Sequence, residues 1–351
     1  MSREKERDLV SSQAGLASAV SVESGGHMGE GLEPVKARSY WEQVWIRFRR
    51  DKVAMVSGGF IIFLVLAAIV GGPIAQHFLG HGPNDLFFAG VNESLLPVGP
   101  MTHVADPDHP GHTTLFILGA DGTLGRDEFL RILYGARVSL EVAVLSTFGV
   151  MTIGVIMGTV AGYFRGWIDT IISRIIEVTM AFPALLFIIA LAATVGDRLN
   201  NITFGGFFGK GVVTLVLVFT VFGWFYPARI VRSSVLSLRE KEFVEAARMV
   251  GSSDWRIMKS HILPHLVAPI VVVSTLIVAG YVLAEAGLSF LGLGVKLPTA
   301  SWGVLLADAP NFYTSQPWLM VWPGLAVLLT TLAFNLLGDG LRDSFDPRAT
   351  H

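Results

Sequence analysis

Residues 239–265 read REKEFVEAARMVGSSDWRIMKSHILPH, a charged stretch set between two apolar ones near 211–230 and 266–290. Phe243, Val244, Ala247 and Val250 recur at helical spacing with charges on the opposite face, which predicts an amphipathic helix lying along a membrane. Gly251 falls where that helix ends, because glycine tolerates the left-handed conformation of a C-terminal turn. Ser252-Ser253-Asp254 can then cap a second short helix starting at Trp255, and Pro264 marks the approach to the next apolar run. Read from the residues alone, the stretch is equally an ordinary surface helix-turn-helix joining two spans.

The apolar neighbours are long enough to cross a bilayer core, which takes about 20 residues of helix. Four more stretches qualify, near 53–78, 138–163, 170–196 and 318–338, so an all-α polytopic membrane protein of six transmembrane helices is expected. Of the 26 Lys and Arg, 20 fall on the side of the chain termini and of the 231–265 loop, and 6 on the other, which puts both termini in the cytoplasm. The domain reading is then a flexible tail over 1–40, an N-terminal helix and first span over 41–79, an extracytoplasmic lobe over 80–137, a membrane core with spans two to six over 138–340 and a cytoplasmic C-terminus over 341–351. The lobe is expected to be ordered, since it is too long for a simple connection and is punctuated by His81-Gly82-Pro83, Asp106-Pro107 and His109-Pro110-Gly111.

Composition agrees with a membrane class and excludes others. Apolar residues make up 52% of the 351, while charged ones make up 15%, against about 25% in soluble domains. Residues 1–52 carry 17 of the charges, and 1–40 have no apolar period, so the start of the chain reads as a separate polar region. Cysteine is absent, which removes disulfides, thiolate metal sites and thiol catalysis. A net charge of −2 without a basic face speaks against nucleic acid as a partner.

The literal string adds a resemblance. Glu245-Ala246-Ala247, Gly251, then His261-Ile262-Leu263-Pro264 resembles the EAA loop of binding-protein-dependent ABC importer permeases. His261 stands where the general motif has Ile, a form typical of the dipeptide/oligopeptide/nickel branch, and His265 stands where that branch has Asn. Leu118-Gly119-Ala120-Asp121, Gly125-Arg126-Asp127, the run from Leu133 to Leu140, the run from Leu283 to Gly294, Ser301-Trp302-Gly303 and Gly338-Asp339-Gly340-Leu341-Arg342-Asp343 are similar to the same branch, with Ala120 in place of its Thr. The chain therefore resembles the C-type permease subunit of dipeptide and oligopeptide importers over about 40–348.

That resemblance implies a type I ABC importer permease fold in the inner membrane and half of a transmembrane pathway for peptides. It implies a homologous second permease subunit, two ABC ATPase subunits and an extracytoplasmic solute-binding protein as partners, all within membrane lipid. It places ATP and Mg in the ATPase subunits and no cofactor, metal or catalytic residue in this chain. It assigns ATPase coupling to Glu245, Ala246, Ala247, Gly251, Leu263 and Pro264. Nickel, glutathione and antibiotic peptides are alternative cargoes within the branch.

Other features admit plainer readings. Glu285, late in span five, and Glu141, early in span two, are costly inside a bilayer. Pairing with Arg137 or with boundary water accounts for Glu141, and for Glu285 that reading stands beside a place in an external gate. His77, His81, His103, His109 and His112, with Asp106 and Asp108, raise metal binding, but none has the His-Glu-x-x-His helical spacing and no site is assigned. Gly205 to Gly211 lacks the Gly and Ser/Thr positions of a phosphate loop. The rival classes lack support: an intramembrane hydrolase needs a His or paired Asp within spans, and a secondary transporter needs broken helices around a midplane ion site.

Overall fold

The computed structural model describes residues 39–107 and 111–346; the tail over 1–38, Asp108, His109, Pro110 and the last five residues lie outside it. Among the described residues five helices are long and apolar enough to cross a membrane: Lys52–Leu79, Glu128–Phe164, Val212–Leu238, Asp254–Phe290 and Trp318–Phe345. A sixth candidate is a pair bent by 86°, Gly166–Met180 with Leu185–Thr194. The fold is thus all-α and polytopic. These elements are called spans one to six in chain order, the bent pair being span three.

Several boundaries differ from the sequence expectation. Span two starts at Glu128, ten residues before the apolar run at 138. Asp127 caps it, accepting hydrogen bonds from the amides of Phe129 (2.8 Å) and Leu130 (3.2 Å). Its first turns carry Glu128 and Arg131, which are buried against the lobe, so they need no apolarity. The lobe accordingly ends at Asp127, not at 137. Span three, expected unbroken over 170–196, breaks at 181–183, where Pro183 can neither donate to a helical carbonyl nor keep its predecessor helical. Spans four and six run on, to Leu238 and Phe345, because charged residues such as Arg232 and Arg342 continue a helix beyond its apolar window.

The lobe between spans one and two is ordered by two small antiparallel pairs, Thr102–Ala105 with Thr113–Phe116 and Ala120–Asp121 with Arg126–Asp127. Phe87, Val104, Phe116 and Ala120 form its core. His81 anchors it to the bundle: Nε2 lies 3.0 Å from Asp127 Oδ2 and Nδ1 3.1 Å from the Leu79 carbonyl, with Thr114 Oγ1 at 3.2 Å. Both ring nitrogens face an acceptor, an arrangement that only the imidazolium satisfies in full. Among the described residues no group of three His, Asp or Glu is placed to hold a metal.

Span two is the axis of the bundle and packs along span four and against span five. Its face toward span four carries Gly149, Gly154, Gly158 and Gly162. A Cβ on Gly154 would come within 2.8 Å of Pro227, one on Gly158 within 2.5 Å of the Ala228 carbonyl, and one on Gly162 within 2.8 Å of Val235. Small residues one turn apart let two membrane helices approach closely, where packing replaces the missing hydrophobic drive.

Candidate functional site

At the end of the bundle opposite the lobe, the segment after span four folds into a short helix, Glu242–Met249. Glu242 and Glu245 sit in its first turn and Arg248 in its last, each on the side that the helix dipole favours. Gly251 ends it with φ +81°, and the chain reversal is closed by bonds from Gly251 N to the Arg248 carbonyl (2.9 Å) and from Ser252 N to the Ala247 carbonyl (3.0 Å). These two bonds make a Schellman cap. Nothing lies within 4 Å of where a Gly251 Cβ would be, so its demand for glycine is one of backbone angle alone.

The helix has two faces. Val244 is fully buried and, with partly buried Phe243 and Ala247, packs on Val231, Val235, Ile257, Ile262 and Leu266 from the ends of spans four and five. Glu245 and Ala246 face outward. Val250, expected on the buried face, is instead 85% exposed, because the helix has ended at Met249 and the next residue turns away. Met249, Val250 and Trp255 form an exposed apolar rim beside Gly251.

The second helix begins at Asp254, one residue before the expected Trp255, and Ser253 at its cap makes no side-chain bond. It passes through a π-helical segment, Ile257–Ile262, and a tighter turn, Leu263–Leu266, before span five becomes regular at Val267. Pro264 lacks an N–H and enters through this irregular backbone rather than a regular helix. Leu263 is half-buried against the cluster and Pro264 is exposed. His265 stacks on Phe243, with centroids 4.9 Å apart and planes within 11°, and its Nδ1 meets the His261 carbonyl at 2.8 Å.

One residue joins the whole arrangement and was not legible in the sequence. Tyr163, at the end of span two, donates its hydroxyl to Asp254 Oδ1 at 2.6 Å. Arg248 lies over its ring at 5.4 Å and Arg239 at 5.8 Å, and Arg239 also donates to the Tyr163 carbonyl. Arg165 pairs with Glu240, and Arg232 pairs bidentately with Asp169 at 2.5 and 2.7 Å. The short helix is therefore fastened to the ends of spans two, four and five. Sequence reading misses Tyr163 because its partner lies 91 residues away and nothing local marks it.

Two further features lie within the bundle. A cavity of about 660 Å³ opens beside the break in span three, lined by Phe182, Phe187, Phe219, Phe222, Phe225 and Tyr281 among other neutral residues. Glu285 is fully buried: Ser139 Oγ donates to its Oε2 and Ser289 Oγ to its Oε1, both at 2.7 Å. Arg137 does not pair with it but with Glu141, at 2.7 Å. Ser139 also receives the Trp302 amide at 3.3 Å, so the carboxylate braces spans two and five to the helix after them.

Comparison with known proteins agrees with this architecture. The family model described as binding-protein-dependent transport system inner membrane component matches residues 153–351, more than half of the chain. The chain belongs to that family. A second model, the N-terminal TM domain of oligopeptide transport permease C, matches residues 39–89, the region of the first helix and span one. The permease is 37% identical to the glutathione transport system permease protein GsiD of Pectobacterium atrosepticum over 89% of this chain and 92% of that protein. It is 36% identical to the dipeptide transport system permease protein DppC of Alkalihalophilus pseudofirmus, over 89% of this chain and 91% of that one. In fold it is similar to a chain from the MetNI methionine ABC transporter in inward facing conformations, with a TM-score of 0.50 and 17% identity over 62% of this chain and 97% of that one.

Proposed function

We propose that this permease forms half of a membrane pathway for short peptides, paired with a homologous permease and driven by two ATPases that bind the ATP and Mg. An extracytoplasmic binding protein delivers the cargo, and both termini lie in the cytoplasm. The observation that carries the reading is the construction of residues 239–266: one face is fastened to spans two, four and five, and an apolar rim of Met249, Val250 and Trp255 is left exposed. A surface built so transmits the movement of a cytoplasmic partner to several spans at once, which is what alternating access requires. In this reading Glu245, Ala246, Ala247 and Gly251 shape the docking helix, while Leu263 and Pro264 form the joint to span five.

Peptide is the favoured cargo because relatives at this identity are named for dipeptide and glutathione transport. The neutral lining of the cavity beside span three accommodates varied side chains and offers no carboxylate or imidazole to nickel. The same lining separates the break in span three from the ion sites of secondary transporters. The test is uptake of radiolabelled alanyl-alanine and of glutathione by the assembled complex in proteoliposomes, with ATP inside the cytoplasmic compartment. ATP-dependent accumulation of either supports the reading; a complex that hydrolyses ATP in response to its binding protein yet takes up neither overturns it.

A further inference from the structure

At the lobe end of the bundle four segments converge on a small pocket: span two through Tyr134, Arg137 and Glu141, the lobe's first turn through Asn84, the turn after span three through Phe207, and the turn after span five through Thr299. Its volume is about 200 Å³, the share of about six or seven waters at ~30 Å³ each. Arg137 and Glu141 pair across one helical turn and both remain partly exposed, 41% and 21% by side chain. The guanidinium also lies 5.9 Å from the centre of the exposed Phe207 ring. This pair is poorly placed as a fold element. Arg precedes Glu, the order that a helix favours less, and partial exposure leaves it little to contribute.

A zwitterion can displace such a pair without stranding either charge, because its carboxylate replaces Glu141 on the guanidinium while its ammonium replaces Arg137 on the carboxylate. A simple anion or cation can replace only one of them. The charged heads meet at 2.7 Å, so a dipeptide, whose two extended residues reach about 7 Å, seats between them by parting the pair toward the ~6 Å of axial rise that four helical residues put between their backbone positions. The pocket also adjoins the pathway. Val138 lines it and packs in one cluster with Phe208, Ile188, Tyr281 and Ala284, the last three of which line the large apolar cavity. The charged pocket and the neutral cavity thus border the same hydrophobic cluster.

We propose that this pocket is an entry subsite for a small zwitterionic dipeptide, Arg137 taking its C-terminal carboxylate and Glu141 its N-terminal ammonium. The proposal rests on the peptide-import reading and refines it. The test measures uptake of radiolabelled alanyl-alanine by the full complex in proteoliposomes, with N-acetyl-alanyl-alanine and alanyl-alanine amide as competitors and the same binding protein throughout. Arg137→Gln is expected to raise KM about tenfold with kcat little changed, the scale of one charge-assisted contact, and to erase discrimination against the amide. Glu141→Gln should erase discrimination against the acetylated peptide. Phe207→Ala, at a side chain that is 65% exposed, should raise KM severalfold and covers the case in which a charge variant fails to accumulate. Wild-type uptake combined with unchanged KM and end-group preference in the variants overturns the subsite and leaves the import reading intact. A wild-type complex that takes up no peptide overturns both.

Discussion

The Tyr163 hydroxyl donates to Asp254 Oδ1 at 2.6 Å, tying the end of span two to the first residue of the helix that leads into span five. Two arginines from the intervening segment, Arg239 and Arg248, flank the same ring. Span two packs along span four and against span five, so this bond closes a loop of contacts in which the short helix Glu242–Met249 is the outermost member.

Removing that hydroxyl separates attachment from folding. Tyr163→Phe keeps the ring and its cation contacts and loses one charge-assisted bond, worth about 1–3 kcal/mol. The complex is expected to assemble at normal levels while uptake per ATP hydrolysed falls severalfold. Asp254→Asn retains an acceptor for the hydroxyl and should keep most of the coupling. Equal loss in both variants would point to charge at 254, and wild-type coupling in Tyr163→Phe would show the bond to be incidental.

Much of this was legible in the chain, and the exceptions have physical causes. Periodicity located the spans and the short helix, because a 20-residue apolar run and a helical repeat are local signals. Gly251 was legible for the same reason: a helix that must end before Ser252 needs a left-handed residue, and the φ of +81° is what was expected of it. Glu128–Arg137 was misread as lobe since hydropathy registers contact with lipid, whereas these turns are buried against protein. Val250 was placed on the buried face by extending the period one residue past the helix end. Tyr163, Ser139 and the stack of Phe243 on His265 depend on partners brought together by packing, which no window along the chain records.

The lobe anchor should respond to pH. Burial by Phe87 and Phe116 pushes the His81 pKa down, but hydrogen bonds to Asp127 and the Leu79 carbonyl and the charges of Asp127 and Asp85 outweigh it, so the net shift is upward from 6.5. A raised pKa means that the anchor's stabilisation is full below the ordinary histidine value and is lost as pH rises through the higher folded value. Limited proteolysis of the lobe, in vesicles that expose it, should be severalfold faster at pH 8.5 than at about pH 6. His81→Gln should cleave quickly at both; a pH-independent wild type would remove the anchor role.

The glycine face of span two should tolerate no bulk. Gly158→Leu places its Cβ against the Ala228 carbonyl at 2.5 Å and Val231 at 2.8 Å, so spans two and four must separate. Overpacking of this kind costs about 1–3 kcal/mol or more. Thermal unfolding in detergent should shift down clearly, and accumulation in the membrane should drop. Gly59→Leu, on span one with nothing within 4 Å, is the matched control and should leave both unchanged.

The decisive variant for the docking helix is at its end. Because Gly251 has φ +81° and open space where a Cβ would be, a side chain there meets backbone strain and no clash. Strain of about 1–2 kcal/mol for an ordinary L-residue is relieved by redirecting the chain after Met249. The reorientation would carry Val250 and Trp255 away from the surface they share with Met249. Gly251→Val is therefore expected to insert and to associate with its partner permease, while losing uptake and the binding protein's stimulation of ATP hydrolysis. Gly251→Asn, which enters the left-handed region at lower cost, should retain a substantial part of both. Ala247→Arg offers an independent route to the same phenotype: Ala247 is half-buried against the cluster at the ends of spans four and five, and a guanidinium there lifts the helix off its seat. Uptake assays paired with co-purification check all three. Normal transport by assembled Gly251→Val and Ala247→Arg complexes would reduce the 239–265 segment to a connector between spans.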